Sequence, residues 1–403
     1  MKKHLIRCSQ FETQSGQRNS NQAGRIVMLL LSAFIALAGQ RVAAGEKTLI
    51  DYFLPTPVVG SLVSNVWGAP NVFSRDPDNG LEDKTMKRWN YWDGQIIKGP
   101  DGKYHMFASR WDQAKGFRGW SRSLAVQAVS DNVFGPYVDQ GLCWPDDHGD
   151  KGHNVTALTL PDGRYAVVVS DTRPGDVFVS KSLDGPWEFL GAIQVATNEF
   201  TGLGRRANIC VIVRPDGQFE IVARSGAIWL SKDGILGPYT IQGPSIYPQI
   251  KDMPKQSFRH LEDPVLWFSG GLYHIVINDW SGRRAYHLTS RDGIHDWKFR
   301  GLAYDPSRGF VRYTDGTVNH WDKMERPGVL LENGHVTAFT FAVLDVPKDE
   351  ELGNDTHGSK IIVVPFDGVG FDRDMEKLAI AESASPSFPT PSDNQPRQRD
   401  SEK

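Results

Sequence analysis

The sequence predicts an all-β chain built as a five-bladed β-propeller, and three observations carry that expectation. Turn formers and short β-branched runs dominate, with 40 glycines and 24 prolines. A strand, a tight glycine turn and a second strand recur five times. Four of those repeats then run through a third strand to a turn that ends in an aromatic residue.

The five repeat windows are 93–104 (DGQIIKGPDGKY), 154–165 (NVTALTLPDGRY), 208–219 (NICVIVRPDGQF), 262–273 (EDPVLWFSGGLY) and 325–336 (ERPGVLLENGHV), and they align without a gap. Each joins an apolar run to DG, GG or NG, residues that accept the positive φ of a hairpin turn. Their last residues, Tyr104, Tyr165, Phe219, Tyr273 and Val336, are separated by 61, 54, 54 and 63 residues, the length of one four-stranded sheet with its loops. Such a sheet cannot bury both faces alone, whereas radial packing of five does so and leaves short edges. A pair of β-sandwiches sharing hairpins is the competing architecture. The fifth repeat is the least regular, because a polar insertion over 347–359 precedes the strand-like 360–365, so closure of the ring stays open at this point.

The flanks read differently. Lys2, Lys3, Arg7, Arg18 and Arg25 precede an apolar run over 26–38 and the small residues Val42, Ala43 and Ala44, the pattern of a cleaved export signal over 1–44 with a mature start near Gly45. The run is short for a bilayer span, so no stable membrane insertion is expected and the destination is the periplasm or the exterior, with an uncleaved anchor as the alternative. Residues 45–88 lead into the ring and are able to cover its funnel, 89–375 form the propeller, and 376–403 are expected as a disordered tail. Cys8 leaves with the signal, and Cys143 and Cys210 are expected as free thiols rather than a bridge. Lysine and arginine total 45 against 48 acidic residues, and that net charge of −3 provides no long-range field for nucleic acid or anionic lipid.

In a propeller the first strand of each blade lines the channel, so equal repeat positions share one level. The first window positions, Asp93, Asn154, Asn208, Glu262 and Glu325, are therefore expected as a polar ring. Interior positions are normally apolar, since an unpaired buried polar group costs on the order of a few kcal/mol. The amides suit strand-end caps and sugar hydroxyls equally. The three carboxylates suit chemistry better, because converging acids hold one member protonated beside an ionised partner, as glycosidic bond cleavage requires. At the second-strand ends lie Arg110 and Trp111, Asp171, Arg224 and Ser225, and Asp279 and Trp280; tryptophan faces there suit sugar stacking as well as packing between blades. Trp92, His153 and His260 fall just before ring positions. Arg110, Arg206, Arg224 and Arg326 suit an acidic or sulfated sugar, or alternatively neutralise the ring acids. No metal-ligand spacing is present and no cofactor is expected, a structural cation in the channel being left open.

The blade-start carboxylates, the DG hairpins and the turn in SKSLDGPW (180–187) resemble the five-bladed propeller glycosidases, above all glycoside hydrolase family 43 and its relatives, over 90–365. The resemblance implies an inverting hydrolysis with an Asp base in blade 1, matched by Asp93, a modulating Asp in blade 2 and a Glu acid in blade 3. Asn154 and Asn208 stand in the last two places, and an amide cannot deliver a proton. The expectation is therefore Asp93 as base, Glu262 as acid and Glu325 as modulator, with Asp263 turned to the other face of its strand. The implied activity is that of an exported glycoside hydrolase acting on plant or algal poly- or oligosaccharides. A non-catalytic carbohydrate-binding propeller and a propeller lyase or phosphorylase are the alternatives.

Overall fold

A computed structural model describes residues 47–64, 72, 74–144, 151–353 and 357–384; the expected export segment lies outside them. Five antiparallel sheets follow chain order. Blade 1 is β1 (Trp89–Lys98), β2 (Tyr104–Asp112), β3 (Leu124–Ser130) and β4 (Val138–Leu142). Blade 2 is β5 (His153–Thr159), β6 (Tyr165–Asp171), β7 (Asp176–Ser180) and β8 (Glu188–Ala192). Blade 3 is β9 (Ile209–Val213), β10 (Phe219–Ala223), β11 (Ile228–Ser231) and β12 (Thr240–Ile241). Blade 4 is β13 (Leu261–Ser269), β14 (Leu272–Asp279), β15 (Arg284–Ser290) and β16 (Lys298–Tyr304), and blade 5 is β17 (Lys323–Glu332), β18 (His335–Leu344) and β19 (Ser359–Pro365). The inner strands β1, β5, β9, β13 and β17 touch in sequence and β17 returns to β1, so the ring is closed and the propeller expectation holds.

Separate apolar cores fill the seams between successive blades. Phe107 and Val167 meet between blades 1 and 2, Val168 and Ile221 between 2 and 3, and Val222 and Ile275 between 3 and 4. Val276 and Phe341 meet between blades 4 and 5, and Met106 and Val363 between blades 5 and 1. Cys143 and Cys210 are buried free thiols, as expected.

The expected cover over the funnel falls partly on 65–71 and 73, outside the described residues, and the described part of 45–88 joins the 305–322 connection through Thr56 and Tyr313. This described part runs along the outer edges of blades 4 and 5, where Leu54 N donates to Pro365 O and Leu81 exchanges both backbone bonds with Ile361. Asn79 extends this edge with its side chain, which accepts from Val363 N at 3.1 Å and donates to Val363 O at 2.9 Å. Gly80 then turns at φ 77°, where a Cβ would lie 1.9 Å from Ile361 O, and its own N–H bonds Phe134 O in blade 1. The segment thus supplies the missing edge of the three-stranded blade and ties it to its neighbour.

One correction falls at the carboxyl end. Residues 376–384 belong to a helix, α1 (Gly368–Ala384), rather than to a disordered tail. Phe371, Met375 and Ala379, four residues apart, bury one face against blades 4 and 5. Their spacing was hidden among Asp, Glu, Arg and Ser.

Beneath α1, His274 and His287 stack on Trp267 and each other, with His274 Nδ1 3.0 Å from His287 Nε2. Burial holds both neutral, pushing His274 down to about 3 and His287 well below the ordinary range. The unfolded chain takes up these protons near pH 6.5, so stability is lost as pH falls from about 6.5 toward 3. Urea unfolding is expected to show this as about 2 kcal/mol lost by pH 4.5 through His274, with His287 acting in the same direction. His287→Leu should flatten the slope, and an unchanged slope would count against the assignment.

Candidate active site

The channel holds two polar layers where one was expected, and hairpin length is the reason. Lys98 pairs with Tyr104, Thr159 with Tyr165 and Val213 with Phe219, but in blades 4 and 5 Phe268 pairs with Tyr273 and Leu331 with Val336, over turns one residue shorter. Counting back equally from these pairs gives Asp93, Asn154, Asn208, Asp263 and Arg326 as the equivalent set. All five take left-handed backbone, with φ of 72°, 56°, 52°, 54° and 49°. Asn and Asp tolerate that region, whereas for an arginine it is an outlier that the surroundings must enforce. Glu262 and Glu325 belong one place earlier, toward the mouth, with Trp92, His153 and Ala207.

The lower set is a belt. Arg326 Nε donates to Asp93 Oδ1 at 3.0 Å and its Nη1 to Asp263 Oδ1 at 3.3 Å, joining blades 5, 1 and 4. Asp93 Oδ2 accepts from Ser109 Oγ and from Val155 N of blade 2. Asn154 Nδ2 donates to Asn208 Oδ1 at 2.7 Å, joining blades 2 and 3. Asp263 therefore faces the channel, not the other side of its strand, because the bulge between Glu262 and Val265 rotates it inward. Both Asp93 oxygens thus carry hydrogen bonds, and the two amides bind each other.

The upper set is open to chemistry. Oxygens of Glu262, Asp263 and Glu325 lie within 4.8 Å of one another, the spacing at which three carboxylates could share a cation, although Lys348 and Arg326 already bring two positive charges to them. Lys348 comes from the polar insertion of blade 5. Its ammonium bonds Glu325 Oε2 and lies 4.9 Å from the centre of the Phe117 ring and 5.5 Å from that of Trp92. Glu325 Oε1 is buried without a hydrogen-bond partner. Glu262 keeps part of its side chain exposed, 3.4 Å from Arg224 Nη2. Burial, then the charges of Asp263 and Glu325, push its carboxyl up to about 8, while Lys348 and Arg224 oppose the rise. Asp263 is pushed up to about 6 by burial, with Arg326 pulling the other way.

Other expected residues are spent on the scaffold. Trp92 and Trp111 are buried, packed edge-on around Phe117, and Trp111 Nε1 donates to Gly116 O, so neither offers a free face. Arg110 pairs with Asp139 on the outer strand of its blade, away from the channel. Asp279 is held by Ser257 Oγ, Tyr286 OH and Gly282 N. His153 is buried against Trp120 with Nδ1 2.9 Å from Ser123 Oγ, and burial pushes it below the ordinary histidine range. Arg206 is exposed and bonds Ile193 O. Trp280 does keep an exposed face, with His260 set edge-on at 4.9 Å.

No family model and no curated protein matches the sequence. Among solved structures it is similar to CoXyl43, a family 43 β-xylosidase/α-arabinofuranosidase from a compost microbial metagenome, at 15% identity over 69% of this chain and 92% of that one, with a TM-score of 0.47. It is also similar to Zg3597, a family 117 glycoside hydrolase of the marine bacterium Zobellia galactanivorans, at 14% identity over 76% and 96% of the two chains, with a TM-score of 0.49. A third likeness is to the family 43 enzyme of Xanthomonas citri complexed with xylotriose, at 12% identity, 69% and 87% coverage and a TM-score of 0.45. At these identities the likeness is one of fold.

Proposed function

We propose that the chain is an exported glycoside hydrolase, with Glu262 as proton donor and Glu325 as the opposing carboxylate. One observation carries the reading: a partly exposed Glu262 carboxyl sits within 4.8 Å of a buried Glu325 whose Oε1 has no hydrogen-bond partner. A carboxyl raised to about 8 holds its proton at neutral pH, and its neighbour can meet developing positive charge at the anomeric carbon. Such a pair serves either of two outcomes, retention or the inversion expected from sequence. Double displacement uses carboxyl groups about 5 to 5.5 Å apart, while inversion leaves roughly 6.5 to 9.5 Å for a water. Lys348 is the cation paired with Glu325, and Asp93 serves the belt.

Release of reducing ends from a panel of plant and algal glycans tests the activity, and the anomeric form of the first product, followed by NMR, tests the stereochemistry. A second reading, a carbohydrate-binding propeller without turnover, is favoured by the engagement of both Asp93 oxygens and by the Asn154–Asn208 bond. Binding across the panel with no reducing ends released would decide for it.

A further inference from the structure

The loops at the carboxylate end of blades 1 to 3 differ in charge from the rest of the surface. They span 113–123, 172–175, 193–207, 224–227 and 242–260, and the up-and-down course of the strands places them all at the mouth. Lys115, Arg118, Arg122, Arg205, Lys255 and Arg259 are exposed there, and none takes part in an ion pair among the described residues. Glu199 and Asp252 are the acids of the same loops. The β4–β5 connection is not counted, because 145–150 lie outside the described residues. At the opposite end the hairpin charges are matched locally, as in Arg164 with Asp162 and Arg214 with Asp216. Among the described residues of these loops, cations therefore outnumber acids along one side of one opening, in a chain whose net charge is −3.

This crescent reaches the acid cluster. Arg224 ends it 3.4 Å from Glu262, and Phe117, beside Arg118, packs under the Lys348 ammonium that holds Glu325. Like charges gathered on one rim repel one another and focus a positive field at the mouth, which favours an anionic partner. Guanidinium groups bind carboxylates and sulfate esters through paired hydrogen bonds.

We propose that the crescent binds the anionic groups of a polyanionic glycan, carboxylated or sulfated, whose scissile end enters at Glu262. The substrate class rests on the hydrolase reading given above. The binding surface is tested independently of turnover by working in the Glu262→Gln protein. Calorimetric titration with polygalacturonate, a sulfated galactan and neutral dextran, at about 0.05 M and about 0.3 M NaCl, reads the electrostatic part of the affinity through screening.

The expected result is binding of one or both polyanions, weakened by salt, with dextran failing to bind. Arg118→Glu/Arg122→Glu on one arm and Lys255→Glu/Arg259→Glu on the other should each weaken it roughly tenfold or more, since each reverses two charges in the field that attracts the ligand. Unaltered melting temperatures show that these surface variants fold. Equal affinity for dextran, unchanged affinity in both charge-reversed variants, or equal affinity for a short DNA duplex would overturn the assignment. Failure of the hydrolase reading has a different signature: the wild-type protein cleaves no glycan while Glu262→Gln still binds the polyanions.

Discussion

Glu262→Gln is expected to lower turnover by roughly 10² to 10⁴, the range typical of losing a positioned general acid, while raising stability. The two effects share a cause. Folding moves the Glu262 carboxyl from its ordinary value of 4.5 up to about 8 by burial and by the charges of Asp263 and Glu325. Above pH 4.5 the unfolded chain has released this proton and the folded chain keeps it, so stability falls as pH rises through 4.5 to 8 and is then level. The amide escapes that penalty, and Glu262→Gln should unfold at higher urea at pH 8, by about 2 kcal/mol. An inactive variant that is also more stable cannot be explained by misfolding.

The pH profile gives a second readout of the same group. The basic limb of kcat/KM should lie near 8, where the donor loses its proton. Lys348→Met removes a cation that favours the ionised form, so the limb should move upward by about one unit. Glu325→Gln removes a like charge and acts on the Glu262 proton in the opposite sense. A Glu262→Gln protein within a few-fold of wild-type turnover, or a limb that ignores Lys348, would remove Glu262 from the mechanism.

The ring was legible because hydrophobic alternation and DG, GG and NG turns recur at the period of a blade, and local sequence dictates both. The site was less so. Gap-free alignment placed Glu262 and Glu325 level with Asp93, whereas shorter hairpins in blades 4 and 5 raise them toward the mouth and put Asp263 and Arg326 in the belt. One residue of hairpin length is invisible when repeats are compared as strings, yet it decides which side chain points inward. Lys348 was missed because an insertion has no counterpart in other blades, although a lysine in a polar insertion of the blade that carries Glu325 was a usable hint. Trp92 and Trp111 show the reverse limit: period alone cannot tell a stacking platform from a seam, and here the seam needed them. The belt also recasts the polar ring as structure. Five left-handed residues would be costly without their partners, and Arg326, Asp93, Asp263 and the amide pair hold one another in place.

The largest stability loss is expected where the ring is fastened. Lys360 of β19 and Arg75 of the amino-terminal segment both bind Glu82, at 2.7 Å and 2.6 Å, and all three side chains are buried. The Lys360 ammonium also donates to Asp76 O at 2.9 Å, and burial pulls it below the ordinary lysine range. Glu82→Gln removes a carboxylate that both buried cations share. Breaking a buried ion pair from one side costs roughly 3 to 5 kcal/mol, and here the break falls beside the Leu81–Ile361 bridge and the Asn79–Val363 contacts that supply the outer edge of blade 5. The Lys98–Glu332 pair, whose lysine is about half exposed, provides the contrast; Lys98→Ala should leave the urea midpoint close to that of the wild type. Urea unfolding of both variants, with protease digestion to reveal release of the amino-terminal segment, measures the difference. If Glu82→Gln unfolds at the wild-type midpoint with the segment still protected, the buried triad is not what closes the propeller.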